Sequence, residues 1–402
     1  MEDSNIDPTN LGPLDGVRVL DLTAVVMGPY STQILADLGA DVITVENSKG
    51  DSNRVMGKGP HLELSGVALN LLRNKRNVTL DVKHVQGRAA LLKIAESCDV
   101  FVTNVRAGGL ERAGLAYEDV VSVNPKIIYC EAHGYPLDSA ERDRPAYDDI
   151  MQAESGLADV MLRQNGVPSL MPTLIADKVC GLAIAYAISA ALFQRERTGK
   201  GSHIEVPMID VVRSWVLVEH GAAGIPVPAM DEAGYQRILT PNRRPQRTKD
   251  AWIQVLPYGK PSYEALFGKG GRPDLVGDPR YATLRDRIAN ASFLYEQVAE
   301  VLLHRTTDEW LTFCRENDIP AAPVTTLETI TETYPVIEHP VAGPYHHVPS
   351  PIRFDSATLP LRRPAPLIGQ HTDEVLSEIG YSPREIAELH RSGAVPEPPS
   401  SI

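Results

Sequence analysis

Over its first 131 residues the chain sets short apolar runs against stretches with helical spacing, and this alternation restricts the fold more than any other feature. Gly16-Val17-Arg18-Val19-Leu20-Asp21-Leu22 reads as a buried strand. Pro29 stands where helices often begin, and Tyr30 to Leu38 keeps helical spacing until Gly39 stops it. Asp41-Val42-Ile43-Thr44-Val45-Glu46 is a second strand. The pattern then predicts a strand at Val78–Val82, a helix near Gln86–Glu96 and a strand at Asp99–Thr103. A helix near Tyr117–Val123 and a strand at Lys126–Glu131 follow. Strands that alternate with helices build a mostly parallel sheet covered by helices, so the expected class is α/β with a Rossmann-like large domain.

Further along, Lys178 to Phe193 is apolar all round and predicts a buried helix, with Gly199 suited to its C-terminal cap. His203–Met208 reads as a strand, and 221–242 is irregular and rich in Gly and Pro. Residues 250–328 form a separate α/β stretch, with a strand at Ala251–Leu256 and helices near Tyr295–Leu303 and Asp308–Glu316. Pro335–Pro366 is Pro-rich, and Asp373–Ile379 and Pro383–Ser392 are short closing helices. A chain of 402 residues exceeds one ordinary core, which favours two domains. The expected division is a large domain at 1–200, a linker at 201–225, a small domain at 226–330, a return linker at 331–354, and a C-terminal segment at 355–402 completing the large domain.

Several function classes are excluded by chemistry. The net charge of −13 would repel a phosphate backbone, so a general nucleic-acid binder is not expected. The β-α-β start invites NAD, but its turn, Ala24-Val25-Val26-Met27-Gly28-Pro29, lacks the glycines that let a backbone approach a pyrophosphate. Gly268-Lys269-Gly270-Gly271 lacks phosphate-loop spacing and reads as a surface turn. The histidines show no ligand spacing, and no serine elbow occurs. Cys98, Cys130, Cys180 and Cys314 are scattered without metal spacing, which fits a reducing compartment. No apolar run is expected to approach the length of a membrane span, and the acidic start resembles no secretory signal or transit peptide. The expectation is a cytoplasmic protein with no metal and no redox cofactor.

Asp177 is the carboxylate of interest, between Leu174-Ile175-Ala176 and the apolar helix. It reads as an N-cap accepting free amide N–H groups. It also reads as a nucleophile that the helix dipole keeps ionised. The two readings are compatible. Tyr147-Asp148-Asp149 leads into another predicted helix, with Asp148 or Asp149 as its cap. Arg73, Lys75, Arg76 and Lys83 form a basic stretch that would be either a solvated face or a partner for phosphates.

Taken together, these segments resemble the class III CoA-transferase family, which includes formyl-CoA transferase, the carnitine and bile-acid CoA transferases, and α-methylacyl-CoA racemase. The resemblance rests on Pro13-Leu14-Asp15-Gly16 through Thr23, Gly28-Pro29, Ala36-Asp37-Leu38-Gly39 through Ile43, and Arg73-Asn74-Lys75-Arg76. It continues with Leu80 to Lys83, Asn104-Val105-Arg106-Ala107-Gly108, Arg144-Pro145-Ala146-Tyr147-Asp148, Arg195 to Gly201, and Pro364 to Leu376. It implies a small domain joined by two linkers to the Rossmann-like one, and a homodimer interlocked as linked rings. It also implies that Asp177 is the nucleophile of a CoA exchange between an acyl-CoA and a carboxylic acid. The CoA is expected along Val26, Met27, Asn47, Leu80, Lys83, Asn104, Val105, Arg106, Arg112, Ala146, Tyr147 and Asp148. Two departures matter. Tyr147 stands where the racemase branch carries His, which removes a partner for two-base proton exchange. The active-site glycine run of formyl-CoA transferase is absent from 239–249, so formyl or oxalyl specificity does not carry over. An acyl-CoA racemase and a non-catalytic CoA-binding homologue are the alternatives.

Overall fold

Branched and aromatic residues buried on both faces, such as Val19, Leu20, Val42, Ile43, Val100 and Phe101, build a sheet that must be covered on each side. The computed structural model describes residues 12–397. The acidic start and the last residues of the expected C-terminal segment, 398–402, lie outside the described residues. The elements in chain order are β1 (Arg18–Leu22), α1 (Met27–Asp37), β2 (Asp41–Glu46), α2 (Gly66–Leu71), β3 (Lys75–Thr79) and α3 (Val85–Glu96). Next come β4 (Val100–Thr103), α4 (Ala107–Ala113), α5 (Tyr117–Val123), β5 (Ile128–His133), α6 (Asp148–Glu154), α7 (Leu157–Asn165), α8 (Ile175–Thr198), β6 (Ser202–Pro207) and α9 (Met208–His220). The six strands form one parallel sheet in the order β3-β2-β1-β4-β5-β6. The order reverses direction between β1 and β4, which opens a crevice at the carboxyl ends of the strands.

The chain divides into two units. The first holds the described parts of Met1–Gln152, Pro172–Val212 and Tyr334–Ile402, and the second holds Ala153–Met171 and Arg213–Thr333. Residues 201–225 therefore differ from the expected linker: β6 is an edge strand of the main sheet, and α9 follows it directly. The expected return linker, 331–354, likewise carries structure. Its residues from Tyr334 onward belong to the first unit and include a hairpin of Val336–His339 with Gly343–His346. Residues 153–171, expected inside the large domain, belong to the second unit and contain α7. The second unit has its own core, in which Trp310, Phe267, Tyr281, Leu266 and Ile253 pack around a three-stranded sheet.

The C-terminal segment closes the first unit. Val375, Leu376, Ile386 and Leu389 join Leu20, Ile43, Leu91 and Phe101 in one core. Arg54 pairs with Glu46 at 2.7 Å and donates to the Pro366 carbonyl at 2.9 Å, while the Asp81 N–H donates to the Ala394 carbonyl. Asn74 Oδ1 accepts the backbone N–H of Arg362 and of Arg363.

Three members of the basic stretch, Arg73, Lys75 and Arg76, are neither a solvated face nor a phosphate site, while Lys83 is exposed. Lys75 is fully buried and gives all three ammonium hydrogens away: to Asp21 at 3.2 Å, to Thr32 at 2.7 Å and to the Pro29 carbonyl at 2.9 Å. Arg73 pairs with Asp37, and Arg76 pairs with Asp41 and Glu378. These cations sit where β3 lies against β2 and α1, so their charge serves the fold.

One further expectation fails. The helix α8 is 24 residues long and apolar enough to cross a membrane by length and composition. It packs instead against α1, at a contact that Gly181 makes possible: a Cβ there would lie 2.8 Å from the Met27 carbonyl oxygen.

Two outcomes test this account. Lys75→Met strands the Asp21 carboxylate and should cost about 3–5 kcal/mol, whereas Lys75→Met with Asp21→Asn should recover much of that loss. Chemical denaturation followed by circular dichroism measures both, and a single variant as stable as the parent would refute the assignment.

Candidate active site

The crevice between β1 and β4 holds a cavity of about 330 Å³. Every wall comes from a segment that follows a strand or starts a helix. Ala24, Val25 and Met27 follow β1; Asn104, Val105 and Arg106 follow β4. Ala132, His133 and Gly134 end β5, Arg144 to Tyr147 precede α6, Met208 follows β6, and Asp177 lies in the first turn of α8. Among these lining residues Asp177 is the sole carboxylate.

The two lips of the crevice are tied together by one amide. Asn104 Oδ1 accepts the Ala24 N–H and Asn104 Nδ2 donates to the Ala24 carbonyl, each at 2.9 Å. The next residue, Val25, has φ of 70°, a conformation that a β-branched residue adopts only when its surroundings impose it. Asp51 imposes it by accepting the Val25 N–H at 2.9 Å. Gly134 is also required, since a Cβ there would stand 2.2 Å from the Ala146 methyl carbon.

Asp177 is not the cap of its helix. The cap position is Leu174, and no side chain of α8 fills it. The free Asp177 N–H is taken by Asp148 Oδ1, at 3.1 Å, so a carboxylate from another helix caps the turn. Asp148 is itself buried and held by Gln152 Nε2 at 2.6 Å. The dipole does not keep Asp177 ionised either. Burial, with Asp148 and Asp149 close by, pushes its pKa up to about 7. Among the described residues no basic side chain comes within ion-pair distance of it.

Of the residues expected at the site, Met27, Asn104, Val105, Arg106, Ala146, Tyr147 and Asp177 meet in the cavity wall. Val26 is buried beside it, Leu80 belongs to the core, and Asp148 lies beneath Asp177. Asn47, Lys83 and Arg112 are exposed and outside the cavity wall. The sequence reading missed Ala24, Val25, Ala132, His133, Gly134, Arg144 and Met208. The signal that could have found them is the rule that ligands bind at the carboxyl ends of parallel strands, applied to β5 and β6.

His133 is the most informative of these. It is buried, its Nε2 donates to Glu131 at 2.8 Å, and its Nδ1 has no partner. Burial opposes the charge of Glu131, but hydrogen bonds from His133 and His203 outweigh it and hold that carboxyl below its usual range. The His203 ring stacks on Tyr117 at 4.3 Å.

A parallel sheet with a carboxylate in a cavity at its switch point is the arrangement of α/β proteins that bind ligands at the carboxyl ends of their strands. The model of CoA-transferase family III matches residues 14–372, and the chain belongs to that family. It is 31% identical to the human (Homo sapiens) succinyl-CoA:glutarate CoA-transferase, over 97% of this chain and 91% of that protein. It is 33% identical to a formyl-CoA:oxalate CoA-transferase of Rhodopseudomonas palustris, over 96% of this chain and 98% of that protein. Among solved structures it resembles a CaiB/BaiF family protein from Brucella suis, with a TM-score of 0.77 and 28% identity over 92% of this chain and 99% of the other. A protein from Mycobacterium tuberculosis described as hypothetical gives 0.75 and 29%, over 90% and 99%.

The raised pKa of Asp177 has a stability consequence whose sign is fixed. The folded state binds the Asp177 proton more tightly than the unfolded chain does, so stability falls as pH rises from about 4 to about 7 and is level above that. Asp177→Asn removes this loss. The variant should match the parent near pH 4 and exceed it at pH 8 by roughly 2–4 kcal/mol. Thermal unfolding across that pH range measures the difference, and a pH-independent difference would contradict the burial argument.

Proposed function

We propose that this CoA-transferase moves CoA from an acyl-CoA donor to a carboxylic acid acceptor through a covalent intermediate on Asp177. The observation that carries the proposal is a buried carboxylate, free of any cation, at the floor of the cavity where the strand order reverses. A carboxylate neutralised by an arginine would be a poor nucleophile, and a fully solvated one would be shielded by water. With a pKa near 7 it is ionised in about half the molecules at neutral pH.

The exchange balances without an external base. An Asp177 oxygen attacks the thioester carbon, the C–S bond breaks, and CoA leaves as thiolate from a mixed anhydride. The thiolate attacks the Asp177 carbonyl carbon, releasing the donor acid as a carboxylate and leaving an aspartyl-CoA thioester. The acceptor carboxylate then attacks that thioester, CoA leaves again, and the thiolate takes the acceptor acyl group. Asp177 is regenerated as a carboxylate, with no net proton transfer. Exposed Arg106, whose Nη1 donates to the Asp143 carbonyl at 3.1 Å, and Arg144 offer charge to the CoA phosphates. Met27, Val105 and Ala146 supply apolar wall for pantetheine or adenine. CoA and acyl-CoA are substrates here, and the scheme calls for no metal or redox cofactor.

We propose further that the protein acts as a homodimer in the cytoplasm. Four buried free thiols fit a reducing compartment. Leu182, Tyr186 and Phe193 make an exposed apolar stripe on α8, at spacings of four and seven residues, and such stripes mark association surfaces.

The chemistry is tested on Asp177. Asp177→Ala and Asp177→Asn should each lower transfer at least about a thousandfold while CoA binding changes little. Hydroxylamine added after acyl-CoA should convert Asp177 to a hydroxamate detectable by mass spectrometry. An active Asn variant, or no label at Asp177, ends the covalent reading. Light scattering tests the assembly: a dimer is expected, dissociating on Tyr186→Glu with Phe193→Glu, and a monomeric parent refutes it.

A further inference from the structure

We propose that the second unit contains a binding site for a compact monoanion, a carboxylate head group or a halide, between Arg237 and Arg287. The two guanidiniums line a partly open cavity of about 20 Å³ together with Tyr258, Tyr263 and Tyr295, and no carboxylate lines it. That volume holds one or two waters, or one small ion.

The two cations have no carboxylate in the cavity wall, although Asp286 lies close enough to feel the Arg287 charge. Neither is ion-paired among the described residues. Arg237 has the phenols of Tyr235 and Tyr295 close enough to favour its charged form and lies over the Tyr258 ring at 5.6 Å. Arg287 Nη1 donates to the Tyr281 carbonyl at 3.0 Å, and its Nε is buried with no partner at all. The nearest acid on its helix, Asp286, is turned away: it accepts the Thr283 hydroxyl at 2.6 Å and the Thr283 N–H at 2.9 Å.

A buried N–H without an acceptor, beside a second cation, is costly. An anion seated between them removes both costs. It would accept from Arg287 Nε and from Arg237, and Tyr295 in the cavity wall carries a phenol proton that can be donated. A dianion or a large anion is disfavoured by the volume. The arrangement shares no residue with the cavity around Asp177, so it is a separate site.

Isothermal titration calorimetry on the full-length protein, with sodium acetate and separately with sodium chloride, tests this. The expected result is one saturable site per chain for at least one anion, unchanged in Asp177→Ala. Stronger binding of acetate identifies a carboxylate site, and stronger binding of chloride identifies a halide site. Arg287→Gln and Arg237→Gln should each weaken binding at least tenfold, while Arg287→Lys, which keeps the charge, should weaken it less. Tyr258→Ala removes the ring under Arg237 from a half-exposed side chain that the core does not need, and a several-fold loss is expected there even if an arginine variant misfolds. Absence of saturable binding to both anions, loss of binding in Asp177→Ala, or parent-like titration in Tyr258→Ala and the arginine variants that fold would overturn the proposal.

Discussion

The buried contact between Asp21 and Lys75 is the interaction on which the first unit depends. Asp21 sits in the middle strand and accepts from Thr23, Thr32, Thr44 and Lys75, so one carboxylate joins β1, β2, β3 and α1. Burial alone would push the Lys75 ammonium to shed its proton, and Asp21 opposes this. A charge placed there is tolerable only because every donor and every carboxylate oxygen has a partner. The same lysine holds the Pro29 carbonyl, which fixes the start of α1. Met27 and Val25, just before that point, form one lip of the cavity, so the pair that orders the sheet also orders the site.

The cavity shows what the surrounding order allows. Val25 is held in a conformation it would not choose, Gly134 accepts a contact that no side chain would fit, and Asp177 carries a raised pKa. Each of these costs free energy locally and is sustained by packing elsewhere. The placement of Asp148 is economical in a specific sense. Its carboxylate satisfies the orphan Asp177 N–H and also raises the Asp177 pKa through its charge. One group therefore both positions the candidate nucleophile and tunes it.

Strand and helix alternation in residues 16–131 was enough to read a parallel α/β sheet, because burial on both faces leaves a continuous apolar run that local composition reveals. The apolar helix behind Asp177 was equally legible, whereas Asp177 itself read locally as a cap and was singled out as a nucleophile by the family resemblance. Less legible was the fate of charge. Arg73, Lys75 and Arg76 look like a surface stretch in the sequence, since nothing local says that Asp37, Asp21 and Asp41 will face them from distant positions. The same holds for His133, whose partner Glu131 is two residues away but whose place in the cavity depends on where β5 ends.

By itself, then, the sequence determined the alternation of the main sheet, the class of fold and the apolar helix α8, because these follow from periodicity and from residues close together in the chain. The tertiary structure alone decided the rest. It assigned β6 to the sheet rather than to a linker and turned Arg73, Lys75 and Arg76 inward. It gave the cap of α8 to Asp148 in place of Asp177 and set the Asp177 pKa against the helix dipole. Each of these outcomes depends on burial and on long-range partners, and desolvation acts only once the chain has closed around a group.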